Sequence, residues 1–259
     1  MVAVLTLSVV LAGCGGATNA TPSATPSTQQ TPTEGLSNGG PTLSGVVSNI
    51  GGIDMESVSP DAYGTVIAQT YAAGSWTATF TETVQAGDEN RTTQIVVSHN
   101  ATQNRTVAAT VVSDRVVEYY ANHSTGTVYA RTVTNESSTV EERERLSQPI
   151  RQIVSGELAV SALRTGDFQP VNLTSGEPTF LQLGANTASE QLDLDVLDYA
   201  GTAFLTTEGR PALLGYRFSY RGQNGLVQET VRLSYEGYQN TTVDVPAWVG
   251  NSNQSGQST

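Results

Sequence analysis

Few side chains in this 259-residue chain could do chemistry, and their spacing narrows the choice further. Histidine occurs twice, at His99 and His123, with no cysteine or carboxylate at zinc-ligand spacing around either. Both therefore read as surface residues, and no metal site is expected. Asp193, Asp195 and Asp198 gather hard oxygen ligands of the kind Ca²⁺ takes, but their spacing matches no calcium loop. The run Glu141-Glu142-Arg143-Glu144-Arg145 suggests acid–base work only at first sight. Alternating charges at helical spacing more often make a solvated face with i,i+4 pairs. No Gly-x-Ser-x-Gly elbow, phosphate-binding loop or dinucleotide fingerprint occurs. A glycosidase's carboxylate pair meets in space and not in sequence, and nothing here favours one. The expectation is a protein with no catalytic residue and no cofactor.

The single cysteine is different, because its neighbours give the thiol a use. Cys14 ends the run Leu11-Ala12-Gly13-Cys14 behind an apolar stretch over residues 2–11. That stretch is too short to span a bilayer and suits the apolar region of a signal peptide. Small side chains before a cut and a thiol after it are what lipoprotein processing requires. The segment resembles a lipobox, with cleavage between Gly13 and Cys14 and a thioether-linked lipid on Cys14. Signal peptides open with positive charge, whereas Met1-Val2-Ala3 carries none, so the start of the chain is expected upstream. With Cys14 lipidated no disulfide can form, and the fold must rest on its own core.

The formal net charge is −12 and the pI about 4.5, although only 14% of residues are charged. All twelve basic residues are arginine. Lysine's strongly hydrated ammonium is dispensable where concentrated salt screens charge over a few ångströms. This balance resembles that of haloarchaeal secreted proteins. It lacks the basic patch that nucleic acid would need, so no nucleic-acid partner is expected. Of fourteen asparagines, nine begin an Asn-X-Ser/Thr sequon: Asn19, Asn90, Asn100, Asn104, Asn122, Asn135, Asn172, Asn240 and Asn253. The 59 serines and threonines would produce about three by random placement. The excess points to an extracellular, N-glycosylated surface, with Asn90, Asn100, Asn104, Asn122, Asn135, Asn172 and Asn240 as acceptors within the folded part.

The elements that must position these groups fall into four segments. Residues 1–13 form the signal peptide. Residues 14–47 form a Thr/Pro/Ser tether with almost nothing to bury, expected to stay disordered. Residues 48–249 form one β-rich domain, and 250–259 a polar, disordered tail. A helix opens the domain, with Ser59 as cap, Pro60 at its first position, Tyr63, Val66, Ile67 and Tyr71 on one face, and Gly74 at its end. The period then becomes two. Trp76, Ala78, Phe80 and Val84 share one face, with Glu82 as a polar intruder. Further strands are expected over 93–98, 105–112, 115–121 and 127–133, forming an antiparallel meander. The spacing predicts a second helical region over 141–164, interrupted by Pro149. Strands return over 179–183, 199–207, 213–220 and 226–235, followed by an extended 241–245. Each strand has an apolar, aromatic face and a hydrated one, so the helices are expected to cover the apolar face.

Several strings share their order with a known group of proteins. Val117-Glu118-Tyr119-Tyr120 precedes Gly126-Thr127-Val128-Tyr129-Ala130-Arg131, and Thr207-Glu208-Gly209-Arg210 precedes an aromatic strand. The chain closes on Asn240-Thr241-Thr242-Val243-Asp244-Val245-Pro246-Ala247-Trp248-Val249. With the lipobox and tether, these strings resemble a family of haloarchaeal cell-surface lipoproteins of unknown function. The order of elements resembles the half-open barrel of LolA-like, LprG-like and LppX-like lipoprotein carriers. The resemblance implies an α+β fold, a large curved antiparallel sheet with helices over its concave face. It implies a lipid or other hydrophobic ligand lined by Trp76, Phe80, Tyr119, Tyr216, Phe218 and Tyr220. The same side chains could instead fill a core. The expected partners are membrane lipid, through the anchor, and that ligand; the expected location is the extracellular face of the cell membrane. The alternative is a structural or interaction module of the archaeal cell envelope with no small-molecule ligand. A transporter's solute-binding accessory would need two α/β lobes, which the pattern lacks. If Cys14 is the anchor, a Cys14→Ser variant is expected to move from the membrane fraction to the medium, read by immunoblot. Retention in the membrane would instead mean an uncleaved helix.

Overall fold

The structure, a computed structural model, describes residues 40–192, 194–223 and 225–251. Gly13, Cys14, Asn19, Asp193 and Asn253 lie outside the described residues. The first element, α1 (Leu43–Ser48), is capped by Thr42, whose hydroxyl accepts from Gly45 N at 3.2 Å. It buries Val46 and Val47, so ordered packing is already present ahead of residue 48, the expected domain boundary. The helix α2 (Pro60–Ala73) buries Tyr63, Ile67 and Tyr71 on one face. Ser59 stands at its cap position, but its side chain makes no capping bond. Gly74 ends α2 in extended rather than left-handed geometry. Its bare Cα serves packing: a Cβ there would lie 2.9 Å from the Tyr238 ring.

The meander follows as β1 (Ser75–Ala86), β2 (Glu89–Asn100), β3 (Arg105–Val112), β4 (Arg115–Asn122), β5 (Thr127–Val133) and β6 (Ser138–Arg143). Two short helices, α3 (Gln148–Ser155) and α4 (Glu157–Leu163), come next. The chain then returns as β7 (Gln169–Leu173), β8 (Phe180–Ala185), β9 (Val196–Thr206), β10 (Pro211–Gly222) and β11 (Gly225–Glu236), and ends in α5 (Ala247–Asn251). All eleven strands form one open antiparallel sheet in the order β6-β5-β4-β3-β2-β1-β11-β10-β9-β8-β7. The class is α+β, as expected. The two halves of the chain join at the centre, where Ala78 pairs with Tyr235 and Phe80 with Leu233.

Three expectations fail for identifiable reasons. Residues 141–143 belong to β6 and not to a helix, and Pro149 lies in the first turn of α3, opening it rather than interrupting it. Every residue of β6 is exposed, so its charges carry no burial period that could separate strand from helix. Charge on an unpaired edge also discourages further strand addition. The edge strand β7 escapes notice because Pro170 reads as a breaker, yet an edge tolerates proline. Residues 241–245 form no strand. They run as a strap over the outer face, held by side chains: Asn100 Nδ2 donates to Thr241 O at 2.7 Å, and Val243 N donates to Gln103 Oε1 at 2.7 Å.

The inner face is the one the helices pack on. Trp76 donates its indole N–H to Tyr71 O at 3.3 Å, and Tyr71 stacks on Tyr235 with ring centroids 4.5 Å apart. Between α3 and α4 the chain turns at Gly156, with φ of +78°. A Cβ at Gly156 would approach Ile67 Cγ2 to 2.3 Å. Gly156→Ala therefore meets both left-handed backbone strain and a clash with α2. It is expected to lower unfolding free energy by about 2–4 kcal/mol in denaturant titrations.

Candidate functional site

Burial along β1 shows how far the helices reach. Trp76, Ala78 and Phe80 are buried, Glu82 and Val84 are half-buried, and Ala86 is exposed. Trp76 and Phe80, at 0% and 9% exposure, are core residues of the helix-covered half. Tyr119 is half-buried on β4, five strand spacings from β10, or about 24 Å along the sheet.

Tyr216, Phe218 and Tyr220 do come together, on β10. Their rings form a stacked ladder that begins on the neighbouring strand. Tyr199 lies 6.4 Å from Tyr216, Tyr216 5.9 Å from Phe218, and Phe218 5.7 Å from Tyr220, with planes within 13°, 25° and 30° of parallel. Strand alternation puts these side chains on the inner face, two residues apart. Tyr199 and Phe218 are the covered rungs, each 5% exposed, while Tyr216 and Tyr220 are half-buried.

Two carboxylates share this face. Phe218 pairs with Glu229 on β11, Glu229 pairs with Val84 on β1, and Glu82 pairs with Val231. Glu82 and Glu229 are thus diagonal neighbours, on the order of 7 Å apart along the backbone. Burial, and then the Glu82 charge, raise the Glu229 pKa. Burial also pushes up the Tyr216 phenol, with the Glu229, Tyr199 and Glu82 charges adding to it. Tyr199 is raised to about 12 by burial, opposed by its hydrogen bond with Thr165 at 2.8 Å. Glu82 was visible in the sequence as a polar intruder in an apolar row. Glu229 breaks the row Val227, Val231, Leu233 in the same way, but only the strand register brings the two intruders together.

The histidines are not the separate surface residues expected. His99 is 6% exposed and its ring centroid is 5.3 Å from that of Trp76. Thr106 bridges the pair: its Oγ1 lies 2.9 Å from His99 Nδ1 and 2.8 Å from His123 Nε2. A hydroxyl has one proton, so it donates to one imidazole and accepts from the other. Sequence hid this because the two-residue period of β2 and the return on β3 are needed to bring the three together. Among the described residues no group of three or more His, Cys, Asp or Glu is placed to hold a metal ion. Asp195 and Asp198 are both exposed.

Among the sequons, Asn90, Asn104, Asn135, Asn172 and Asn240 are exposed. Asn122 is half-buried, its Oδ1 accepting from Ser124 N at 3.0 Å. Asn100 departs from the expectation. It is 8% exposed, and the amide nitrogen a glycan would occupy is donated to Thr241 O.

No family model matches the chain, and no curated protein matches its sequence. Among solved structures, one similar chain is a domain assigned to outer membrane lipoprotein sorting from Vibrio parahaemolyticus. It is 7% identical, with a TM-score of 0.26 over 75% of this chain and 96% of that one. Another is a DUF1329 family protein from Desulfovibrio piger ATCC 29098, 8% identical, with a TM-score of 0.24 over 71% of this chain and 92% of that one. The open-sheet α+β class rests on the strand order itself.

The buried imidazole gives a test of this geometry. Burial, and then the nearby His123, depress the His99 pKa to about 4 from its ordinary 6.5. Between those values the unfolded chain binds a proton that the folded chain refuses, so stability falls as pH falls through that window. The shift corresponds to about 3 kcal/mol. Denaturation midpoints measured from pH 7 to pH 4 are expected to drop, and His99→Gln to flatten that part of the profile.

Proposed function

We propose that this chain is a membrane-anchored extracellular lipoprotein whose β-rich domain binds and carries an apolar ligand on the open half of its inner face. The observation that supports this most directly is the aromatic ladder. Tyr216 and Tyr220 are stacked and half-buried on either side of the buried Phe218. Stacked rings on a sheet face offer apolar area at little entropic cost, because their neighbours already hold their rotamers. An acyl or isoprenoid chain laid along the ladder would withdraw that area from water, at roughly 25 cal/mol per Å².

The site of action follows from other features. The Leu11-Ala12-Gly13-Cys14 run supports lipid attachment, and five exposed sequon asparagines support an extracellular setting. Among the described residues no helix is long and apolar enough to cross a membrane. The lysine-free acidic composition supports a haloarchaeal envelope.

The test uses the full chain with Cys14→Ser, so that any lipid recovered by organic extraction is non-covalent. A neutral probe, a pyrene-labelled long-chain alcohol, is expected to bind saturably. Tyr216→Ala with Tyr220→Ala is expected to weaken binding about tenfold, since each aromatic contact contributes about 0.5–1.5 kcal/mol beyond its area. No co-purified lipid and no saturable binding would overturn the carrier reading in favour of an envelope structural module.

A further inference from the structure

The sequons within the fold are not equally open, and two neighbours close in different ways. Asn100-Ala101-Thr102 and Asn104-Arg105-Thr106 flank the turn between β2 and β3. In the first, Thr102 is exposed but the asparagine is enclosed, at 8% exposure. Both ends of its amide are engaged: Oδ1 accepts from Gln103 N at 2.8 Å, and Nδ2 donates to Thr241 O at 2.7 Å. In the second, Asn104 is exposed, whereas Thr106 is fully buried with its hydroxyl held between His99 and His123. Asn90-Arg91-Thr92 and Asn135-Glu136-Ser137 are exposed at all three residues.

What closes Asn100 is the strap. Val243 N donates to Gln103 Oε1 at 2.7 Å, the Arg105 guanidinium donates to Val243 O at 3.5 Å, and the Thr77 and Thr241 hydroxyls lie 3.4 Å apart. Val243 is 2% exposed, and the Trp248 ring lies 5.6 Å from Arg131 Cζ. Side chains hold the strap, so it can lift without breaking a sheet ladder. It also arrives late in synthesis, since Thr241 follows Asn100 by 141 residues. Until it closes, the Asn100 amide nitrogen lacks that acceptor. Thr106, by contrast, is held by histidines on β2 and after β4, and its closure owes nothing to the strap.

We infer that Asn100 is a modification site gated by the strap: it takes an N-linked sugar only while residues 241–249 are off the outer face, and a sugar there keeps them off. The transfer joins Asn100 Nδ2 to the anomeric carbon of a phosphate-activated sugar. The bond from that carbon to the phosphate oxygen breaks, the phosphate leaves with the electron pair, and Nδ2 gives up one of its two protons to a base. With the strap closed, the enclosed nitrogen has no open side for the incoming carbon, and a sugar ring would need the place that Thr241 fills. The gate is a property of the fold; its use by the cell rests on the extracellular setting proposed above.

The experiment treats the folded full chain, as Cys14→Ser, with a soluble N-glycosyltransferase and UDP-glucose, and reads each sequon by peptide mass spectrometry. The parent is expected to take glucose at Asn90 and Asn135 at least about tenfold faster than at Asn100, because only the latter is enclosed. The Val243→Asp, Trp248→Ala double variant puts a charge at a buried position and removes the ring beside Arg131, which lifts the strap. There the Asn100 rate is expected to rise at least about tenfold, toward that of Asn90. Asn104 is expected to stay silent in both proteins, and that silence shows the β2–β3 hairpin to be folded. Equal rates at Asn100 and Asn90 in the parent, or no rise at Asn100 in the variant, would overturn the gate. A joint rise at Asn100 and Asn104 would overturn it too, by placing the closure in the hairpin and not in the strap. A working gate on a native protein that carries no sugar at any sequon would overturn the extracellular setting and leave the gate standing.

Discussion

Everything in this molecule depends on the pairing of β1 with β11. That ladder runs from Thr77 opposite Glu236 to Ala86 opposite Val227 and joins two sheets that would otherwise be separate. A six-strand meander and a five-strand return would each have one apolar face and too few helices to cover it. Joined, they share α2, α3 and α4, and the aromatic cluster of Tyr71, Trp76 and Tyr235 forms across the seam. The same ladder carries Glu82 up to Glu229.

The helices are shorter than the strands they cover, and this mismatch creates the two environments of the inner face. Where helix meets sheet, side chains interdigitate and even polar groups are enclosed, as His99 is beside Trp76. Toward the far ends of β1, β10 and β11 burial falls off, and Tyr216, Tyr220, Glu82 and Glu229 are half-buried. The first environment makes a stable domain. The second leaves part of two aromatic rings and two carboxylates accessible to solvent.

Much of the architecture was legible in the residues. The alternation in β3 and β5 located those strands to the residue, because each has one clearly buried row. The start of α2 was equally plain from Pro60 and Asp61. Failures occurred where tertiary contact, not local pattern, decides the outcome. The edge strand β6 needs only backbone partners, so its Glu/Arg run resembled a helix. Three of the six aromatics assigned to a ligand surface do sit in one ladder, but Trp76 lies in the core and Tyr119 lies far off on β4. Period alone marks which face a residue takes, not whether a helix lies over it. The Glu82–Glu229 pair and the His99–Thr106–His123 bridge depend on register between strands, which no single segment encodes.

The position of β11 in the chain has a consequence for how the domain is made. During synthesis β1 through β6 emerge early and can zip together by local hairpins. The inner edge of β1 stays bare until Gly225 and its successors appear. Until then the nascent chain presents a long unsatisfied strand edge, the sort of surface that invites wrong partners. Closing the sheet is therefore a late, non-local event. The strap pinned by Asn100 and Gln103, coming after β11, can only seal a sheet already joined.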